Sequence, residues 1–293
     1  MTNDLYKERS AQACIHDAYE MMCNNAATIF RRTWLPVAVA AVLLGIITSA
    51  MLSASLSTQP SFALISILVV ATIVAHVACG AWIDTHFLRL LTERTASFPT
   101  YKRQAILRSI SAAIAVVAAI IVLVVDISAF RCMFQAKASV TNTMLVTYAS
   151  MGVAILILAF ASVPFFYGYM KCSFDLTSKP LKIFTSFYRQ GLRRYSILFA
   201  ALALSGLISA IILCIAAIPL SVMTGAQIAN FTGMLLGDAS ALPSCSFAFT
   251  AIAAAAASFV GLYVGLWVYV VMGYAHGSIE WTLQQKQEKS TEQ

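Results

Sequence analysis

The chain has 293 residues, of which 60% are hydrophobic and only 11% are charged, and its formal net charge is +7. Soluble domains carry about 25% charged residues, so this composition excludes an ordinary water-soluble protein. The positive net charge does not imply nucleic-acid binding, because membrane topology alone concentrates basic residues beside anionic lipid headgroups.

Apolar runs follow one another along most of the chain. Each contains at most one charged residue and is long enough, at roughly 20 residues, to cross a bilayer as a helix. They lie at about 35–57, 61–83, 109–130, 143–170, 196–219 and 248–273. The sequence therefore predicts an all-α, polytopic membrane protein with six transmembrane helices. The transmembrane domain covers 35–273, between an N-terminal segment (1–34) and a C-terminal tail (274–293).

The N-terminal segment predicts a cytoplasmic amphipathic helix. Its apolar residues recur at helical spacing of three or four. They are Ala11, Ile15, Ala18, Met22, Ala26 and Ile29. The first run follows 34 mixed residues and lacks the short positive region and cleavage site of a secretory signal. We therefore expect a retained signal-anchor.

A basic phrase recurs before the first, third and fifth runs, as TIFRRTWLP, AILRSI and GLRRYS. It places Arg32, Arg108 and Arg194 at equivalent positions, and the breaks SFP and SKP precede the second and third copies. This pattern predicts three units, each with a cytoplasmic amphipathic helix, an arginine at headgroup level and a hairpin of two spans. Two explanations of the recurring phrase remain open: duplication of one unit, or a positive-inside bias that occurs three times. The residues predicted to contact lipid or a partner are Arg31, Arg32, Lys102, Arg103, Arg108, Arg189, Arg193 and Arg194.

The basic residues also predict the orientation of the chain. Of the 19 Lys and Arg residues, only Arg131 and Lys137 fall in connections assigned to the outer side. Because cytoplasmic loops are rich in Lys and Arg, we expect a bacterial inner membrane with both termini in the cytoplasm.

The arrangement of helix, arginine and hairpin resembles the uncharacterised bacterial six-span membrane proteins related to the YciC family. It also resembles the membrane domain fused to some glycerophosphodiesterases. The resemblance rests on the three basic phrases quoted above and implies a six-span architecture. It transfers no functional residue, and the sequence contains no phosphodiesterase domain.

Small residues recur every four positions in the first and sixth runs, which allows another helix backbone to approach closely. The residues predicted to pack helices are Gly45, Ser49, Ala257, Gly261 and Gly265. Internal packing and a homodimer seam are the two alternatives. In the fourth run, Pro164 predicts a kink near Phe160, because proline removes a backbone donor.

Polar chemistry is sparse inside the predicted bilayer. An ion-coupled carrier is expected to place charged residues near mid-membrane, and this sequence places none there. For His76, in the second run, a structural role is favoured over a functional one. His16, His86 and His276 each have a carboxylate nearby and are weak candidates for metal ligands. No catalytic residue, metal or cofactor is predicted. Cys132 and Cys245 could pair in an oxidising compartment or stay unpaired.

The predicted function is a non-enzymatic membrane scaffold or accessory subunit that acts through its basic cytoplasmic helices. Its expected partners are membrane lipids, with a membrane-protein partner or a second copy as further possibilities. A permease for a neutral or lipid-like solute is the first alternative. The second is a membrane-embedded, metal-dependent enzyme.

Overall fold

A computed structural model describes residues 5–56, 61–92, 97–135, 140–175, 177–238, 242–243 and 245–291. Within these ranges every regular element is helical, which confirms the all-α prediction. The elements are α1 (Ala11–Asn24), α2 (Ala26–Ser55), α3 (Phe62–Thr92), α4 (Phe98–Gln135), α5 (Val140–Phe174), a 3-10 turn (Pro180–Phe184), α6 (Ser186–Arg193), α7 (Tyr195–Ala216), α8 (Ile218–Leu235) and α9 (Ser246–Thr291).

In the described part of the chain, six helices are long and apolar enough to cross a membrane. The shortest has 22 residues, which corresponds to about 33 Å and matches the bilayer core of about 30 Å. These segments support the predicted multi-pass membrane protein. They are Ala26–Ser55, Ala63–Leu88, Phe98–Met133, Thr141–Phe174, Tyr195–Ala216 and Ser246–Ser290.

Several helix boundaries differ from the predicted ones. The second basic phrase and the third apolar run form one continuous helix of 38 residues, α4. Likewise α9 continues to Thr291, so most of the predicted tail is helical. The predicted helix over 11–29 is interrupted at Asn25, whose side-chain amide donates to the carbonyl of Met21 at 2.9 Å. Asparagine competes with helical backbone hydrogen bonds in this way.

The connection between the fifth and sixth runs contains a helix that the sequence did not predict. Helix α8 begins at Ile218, directly before Pro219, because proline suits the first turn of a helix. Its buried Gln227 donates to Thr250 Oγ1 on α9 at 2.6 Å. The fifth span consequently ends at Ala216 rather than near 219. Lys137, in the second outer connection, lies outside the described residues.

Helix α9 organises the packing, because α1, α2, α5, α7 and α8 all contact it. The main apolar core lies toward one end of the helices and includes Phe87, Tyr167 and Val271, all fully buried. By contrast, the most apolar stretch of α4 contains no buried residue. Its large side chains, such as Val117 at 56% exposed, present the kind of surface that a bilayer covers.

The N-terminal residues dock on the C-terminal half of α9. The backbone N–H of Arg9 donates to Ser278 Oγ at 2.9 Å, and its guanidinium stacks over the ring of Tyr274 at 4.6 Å. Helix α1 buries Cys14, Ala18 and Met21 and contacts α9 and α7. Of the predicted apolar face, Ala11, Ile15 and Met22 also pack against the main apolar core, whereas Ala26 is exposed.

The predicted disruption at Pro164 is compensated by a neighbouring helix. Proline cannot donate to the carbonyl four residues earlier, which belongs to Phe160. The hydroxyl of Tyr195 at the start of α7 donates to that carbonyl at 3.2 Å. Gly191 of α6 packs on Pro164, where an added Cβ would lie 2.7 Å from the proline carbonyl oxygen. Tyr195 thus links α7 to the carbonyl that Pro164 leaves free, and α6 packs against Pro164 itself.

The residues predicted to pack helices divide into two groups. Gly45 on α2 lies so close to α9 that an added Cβ would be 2.5 Å from the carbonyl oxygen of Ala251. Ser49 donates to the carbonyl of Phe247 at 2.9 Å. On α9, Ala257 is half-buried, and a Cβ at Gly261 would contact only Leu213 at 3.4 Å among the described residues. A Cβ at Gly265 would meet no described atom within 4 Å.

Cys132 and Cys245 are both exposed free thiols, so no disulfide joins them in this structure.

Candidate ligand-binding cavity

A cavity of about 670 Å³ lies between the α4–α5 pair and a wall formed by α2, α3 and α9. Along α4 its lining extends from Arg108 to Val122, which at 1.5 Å per residue is about 21 Å. That length is about two-thirds of the hydrocarbon core of a bilayer. Its volume is within the range of about 300–1,000 Å³ that is typical of small-molecule sites.

Small residues on facing helices leave this space open. Helix α4 contributes Ala115, Ala118 and Ala119, and α9 contributes Gly261 and Gly265. Larger apolar side chains such as Ile114, Leu158 and Leu266 complete the walls. Part of the small-residue stripe of the sixth run thus faces a cavity rather than a helix backbone.

A buried ion pair forms the polar end of the cavity. Arg108 donates from Nε to Asp84 Oδ2 and from Nη2 to Asp84 Oδ1, both at 2.7 Å. The hydroxyl of Tyr169 donates to Asp84 Oδ2 at 3.0 Å. Bidentate bonds between ionised groups of this kind are among the strongest hydrogen bonds in proteins. The side chain of Asp84 is 0% exposed and that of Arg108 is 24% exposed, so the cavity meets mainly the guanidinium.

One face of α3 supports this pair with residues at four-residue spacing, which places them on one side of the helix. They are His76, Gly80 and Asp84, and all three line the cavity. An added Cβ at Gly80 would lie 3.0 Å from Arg108 Nε, so this glycine provides the space that the guanidinium occupies. His76 makes no hydrogen bond with any described residue, which leaves its imidazole available to the cavity.

A second polar cluster joins α5, α6 and α9 outside the cavity lining. Glu280 accepts hydrogen bonds from the Tyr167 hydroxyl and from Lys171 Nζ, the latter at 2.9 Å. The Tyr167 hydroxyl oxygen also lies 3.2 Å from the side-chain amide oxygen of Gln190. His276 is 3% exposed, and its Nε2 lies 3.7 Å from Glu280 Oε1. This cluster ties three helices together at the end that carries the basic phrases.

The three histidines predicted as weak metal candidates have different neighbours. His16 groups with Asp17 and Glu20, with ligand atoms within 4.8 Å of one another, and no other such group occurs among the described residues. Arg9 already donates to Asp17 at 2.6 Å. Partial burial raises the pKa of Asp17, but the hydrogen bond and charge of Arg9 outweigh that effect and lower it overall. His86 instead packs near Trp82, and His276 belongs to the Glu280 cluster.

The structure gives the predicted basic residues different environments. Arg31, Arg32, Lys102, Arg189 and Arg193 are exposed, and Arg194 is half-buried. In contrast, Arg103 binds the carbonyls of Cys172 and Asp175 at 2.7 and 2.9 Å, and it also binds Ser178. Arg108 is paired with Asp84. The arginines that the basic phrase aligned, Arg32, Arg108 and Arg194, therefore do not share one set of contacts.

Sequence reasoning did not identify Asp84 as the partner of Arg108. The available signal was the position of the two residues, since Asp84 directly follows the second run and Arg108 directly precedes the third. If two consecutive membrane helices pack against each other, charges at their adjoining ends are expected to meet. Comparison of the chain with protein-family models, curated proteins and solved structures finds no match.

Proposed function

We propose that this protein binds an amphipathic, lipid-like molecule within the membrane, as the predicted alternative of a permease for a neutral or lipid-like solute requires. The observation that supports the proposal is the cavity itself, which has apolar walls about 21 Å long and one polar end. A large apolar pocket with a few convergent polar groups is the usual form of a ligand site.

The chemistry of the walls favours a lipid-like ligand over a polar solute. Sugars, amino acids and ions need several hydrogen-bonding partners, and burying them without such partners costs several kcal/mol. Apart from the hydroxyls of Ser111 and Ser162, the polar lining groups are His76, Asp84, Arg108, Tyr169 and Tyr269. An apolar chain along α4 with its head beside Arg108 would match this distribution.

Photolabelling tests the proposal directly. We expect a lipid with a diazirine in its acyl chain to label Leu266, which lines the cavity but is only 3% exposed. Leu266 exposes almost no surface to the surrounding bilayer, so labelling of Leu266 above the level of the exposed Val117 reports a probe within the cavity. Mass spectrometry of the labelled full-length protein in nanodiscs would identify the modified residue, and unlabelled lipid should compete with the probe.

A matched pair of variants provides the control. Ala118 lines the cavity, whereas the neighbouring Val117 does not line it and is 56% exposed. Ala118→Trp is expected to reduce labelling of Leu266 at least about tenfold, which corresponds to about 1.4 kcal/mol of binding free energy. Val117→Trp should leave it unchanged. Labelling confined to exposed residues, or equal labelling in both variants, would refute a cavity ligand.

We further propose that the chain lies in a bacterial inner membrane with both termini cytoplasmic and its spans arranged as three hairpins. The near-absence of Lys and Arg from the predicted outer connections supports this orientation. It would place the exposed side chains of Arg31, Arg32, Lys102, Arg189 and Arg193 at the anionic inner leaflet. A scaffold or accessory role for that surface, and a homodimer, remain predictions from the sequence.

Reporter fusions test this topology. We expect an external signal from fusions at Thr58, Ala138 and Ala239, and a cytoplasmic signal from fusions at Thr95, Ser186 and Gln293. All of these sites except Ser186 lie outside the described residues. The expected pattern follows from the positive-inside rule. An external signal at Thr95 or Ser186 would contradict the three-hairpin arrangement.

A further inference from the structure

We infer that the head of the cavity ligand is neutral and presents a carbonyl oxygen to Arg108, as an ester-bearing neutral lipid would. The inference rests on the proposed function, because it assumes that the cavity holds a lipid-like molecule. It goes further by assigning the chemical class of the head and the side chain that recognises it.

A ligand in the cavity would meet Arg108 rather than Asp84. Both oxygens of Asp84 already accept hydrogen bonds, Oδ1 from Arg108 and Oδ2 from Arg108 and Tyr169. The carboxylate is also completely buried. A ligand therefore cannot use Asp84 as an acceptor, and it meets the part of Arg108 that remains exposed.

Arg108 retains N–H donors that Asp84 does not use. A guanidinium has five N–H donors in a planar fork. Those that bond Asp84 are on Nε and Nη2, whereas Nη1 donates to no group in the described part of the chain. The polar end of the cavity thus offers donors, and its complementary ligand group is an acceptor such as a carbonyl oxygen.

The charge balance of the cavity favours a neutral head. Arg108 is the only Lys or Arg among the residues that line the cavity, and Asp84 already balances it. A carboxylate or phosphate head would add an uncompensated negative charge to an apolar space, which costs several kcal/mol. A neutral carbonyl can use the free N–H groups without that cost. His76 lies two helical turns from Asp84 on the same face and can hydrogen-bond a second group of the head.

Three photoprobes with the same diazirine-bearing chain separate the possible heads. One carries a methyl ester, one a permanently ionised sulfonate, and one ends as an alkane. Each would be titrated against the full-length protein in nanodiscs of zwitterionic phosphatidylcholine, with labelling of Leu266 as the readout. We expect half-saturation by the ester at a concentration at least about tenfold lower than for either of the other probes.

The outcomes distinguish the inference from the proposed function. Equal half-saturation by the ester and the alkane would show that the head is not recognised. Tighter binding of the sulfonate would show an anion site. Either result would overturn this inference and leave the cavity as a lipid site. Failure of all three probes to label Leu266 would overturn the proposed function and this inference with it.

Variants of the polar end identify the recognising group. Arg108→Lys keeps the positive charge beside Asp84 but removes the planar fork, so we expect the tenfold preference for the ester over the alkane to disappear. Arg103→Lys changes a half-buried arginine that does not line the cavity, and the preference should persist. If Arg108→Lys fails to fold, Gly80→Ala provides a milder change, since its Cβ would displace the guanidinium. An unchanged preference in Arg108→Lys, or in Gly80→Ala if Arg108→Lys does not fold, would contradict a role for Arg108.

Discussion

Replacing Asp84 with asparagine is expected to lower the free energy of unfolding by about 3–5 kcal/mol. The substitution removes one partner of a buried ion pair and leaves the guanidinium of Arg108 without its counter-charge. The penalty is large because Asp84 is completely buried and both of its oxygens bind Arg108. Denaturant titration of the purified protein in detergent micelles, followed by circular dichroism, would measure the loss.

A surface aspartate provides the matched control for this substitution. Asp238, just after α8, is exposed, so Asp238→Asn should change stability by no more than about 0.5 kcal/mol. The double variant Asp84→Leu/Arg108→Met should recover much of the loss, because it removes both charges together. Equal stability of the Asp84→Asn and Asp238→Asn variants would show that the ion pair does not hold α3 against α4.

The number and type of the long helices could be predicted because insertion of a helix into a bilayer depends on its own composition. A run such as Ile110–Val125 favours the hydrocarbon region whatever its neighbours are. Backbone hydrogen bonding then requires a helix. Because the preference of a run for the bilayer depends only on its own composition, it can be recognised in a single sequence.

The helix ends could not be predicted in the same way, because hydropathy marks where a helix meets water rather than where it stops. After Pro99 near its start, α4 contains no glycine or proline, so it passes from the basic phrase into the apolar run without a break. The reverse holds at Asn25, where a single polar side chain interrupts an otherwise periodic segment. Local hydrogen bonding, not the change in polarity, decides both cases.

The candidate site was only partly predictable, because its chemistry depends on which helices are neighbours. Arg108 was identified as a residue at the membrane boundary, and its spacing from the other arginines suggested the same role for all three. Contact between α3 and α4 brings Asp84 to Arg108 across 24 residues of sequence and changes that role. Spacing within one helix carries no information about such a pair.

Gly45→Leu is expected to destabilise the protein by about 1–3 kcal/mol or more, whereas the same substitution at Gly265 should not. At Gly45 even a Cβ would lie 2.5 Å from a backbone oxygen of α9, and backbone atoms cannot move aside at low cost. At Gly265 the added side chain would enter the cavity, where a Cβ meets no described atom within 4 Å. Denaturant titration in micelles would compare the two variants.

Both glycines belong to stripes with the same four-residue spacing, so their sequence context alone predicts the same outcome for both substitutions. The structure separates them, because α2 and α9 touch at Gly45 while α9 and α4 stand apart beside Gly265.

Gly265→Leu should therefore keep its stability and lose photolabelling of Leu266, since leucine would occupy the space proposed for the ligand. Equal loss of stability in the Gly45→Leu and Gly265→Leu variants would show that Gly265 faces a helix and that the cavity is smaller than in this structure. If Gly265→Leu kept both stability and labelling, the ligand would have to lie elsewhere along α4. Retained stability with lost labelling is the combination that a functional cavity requires.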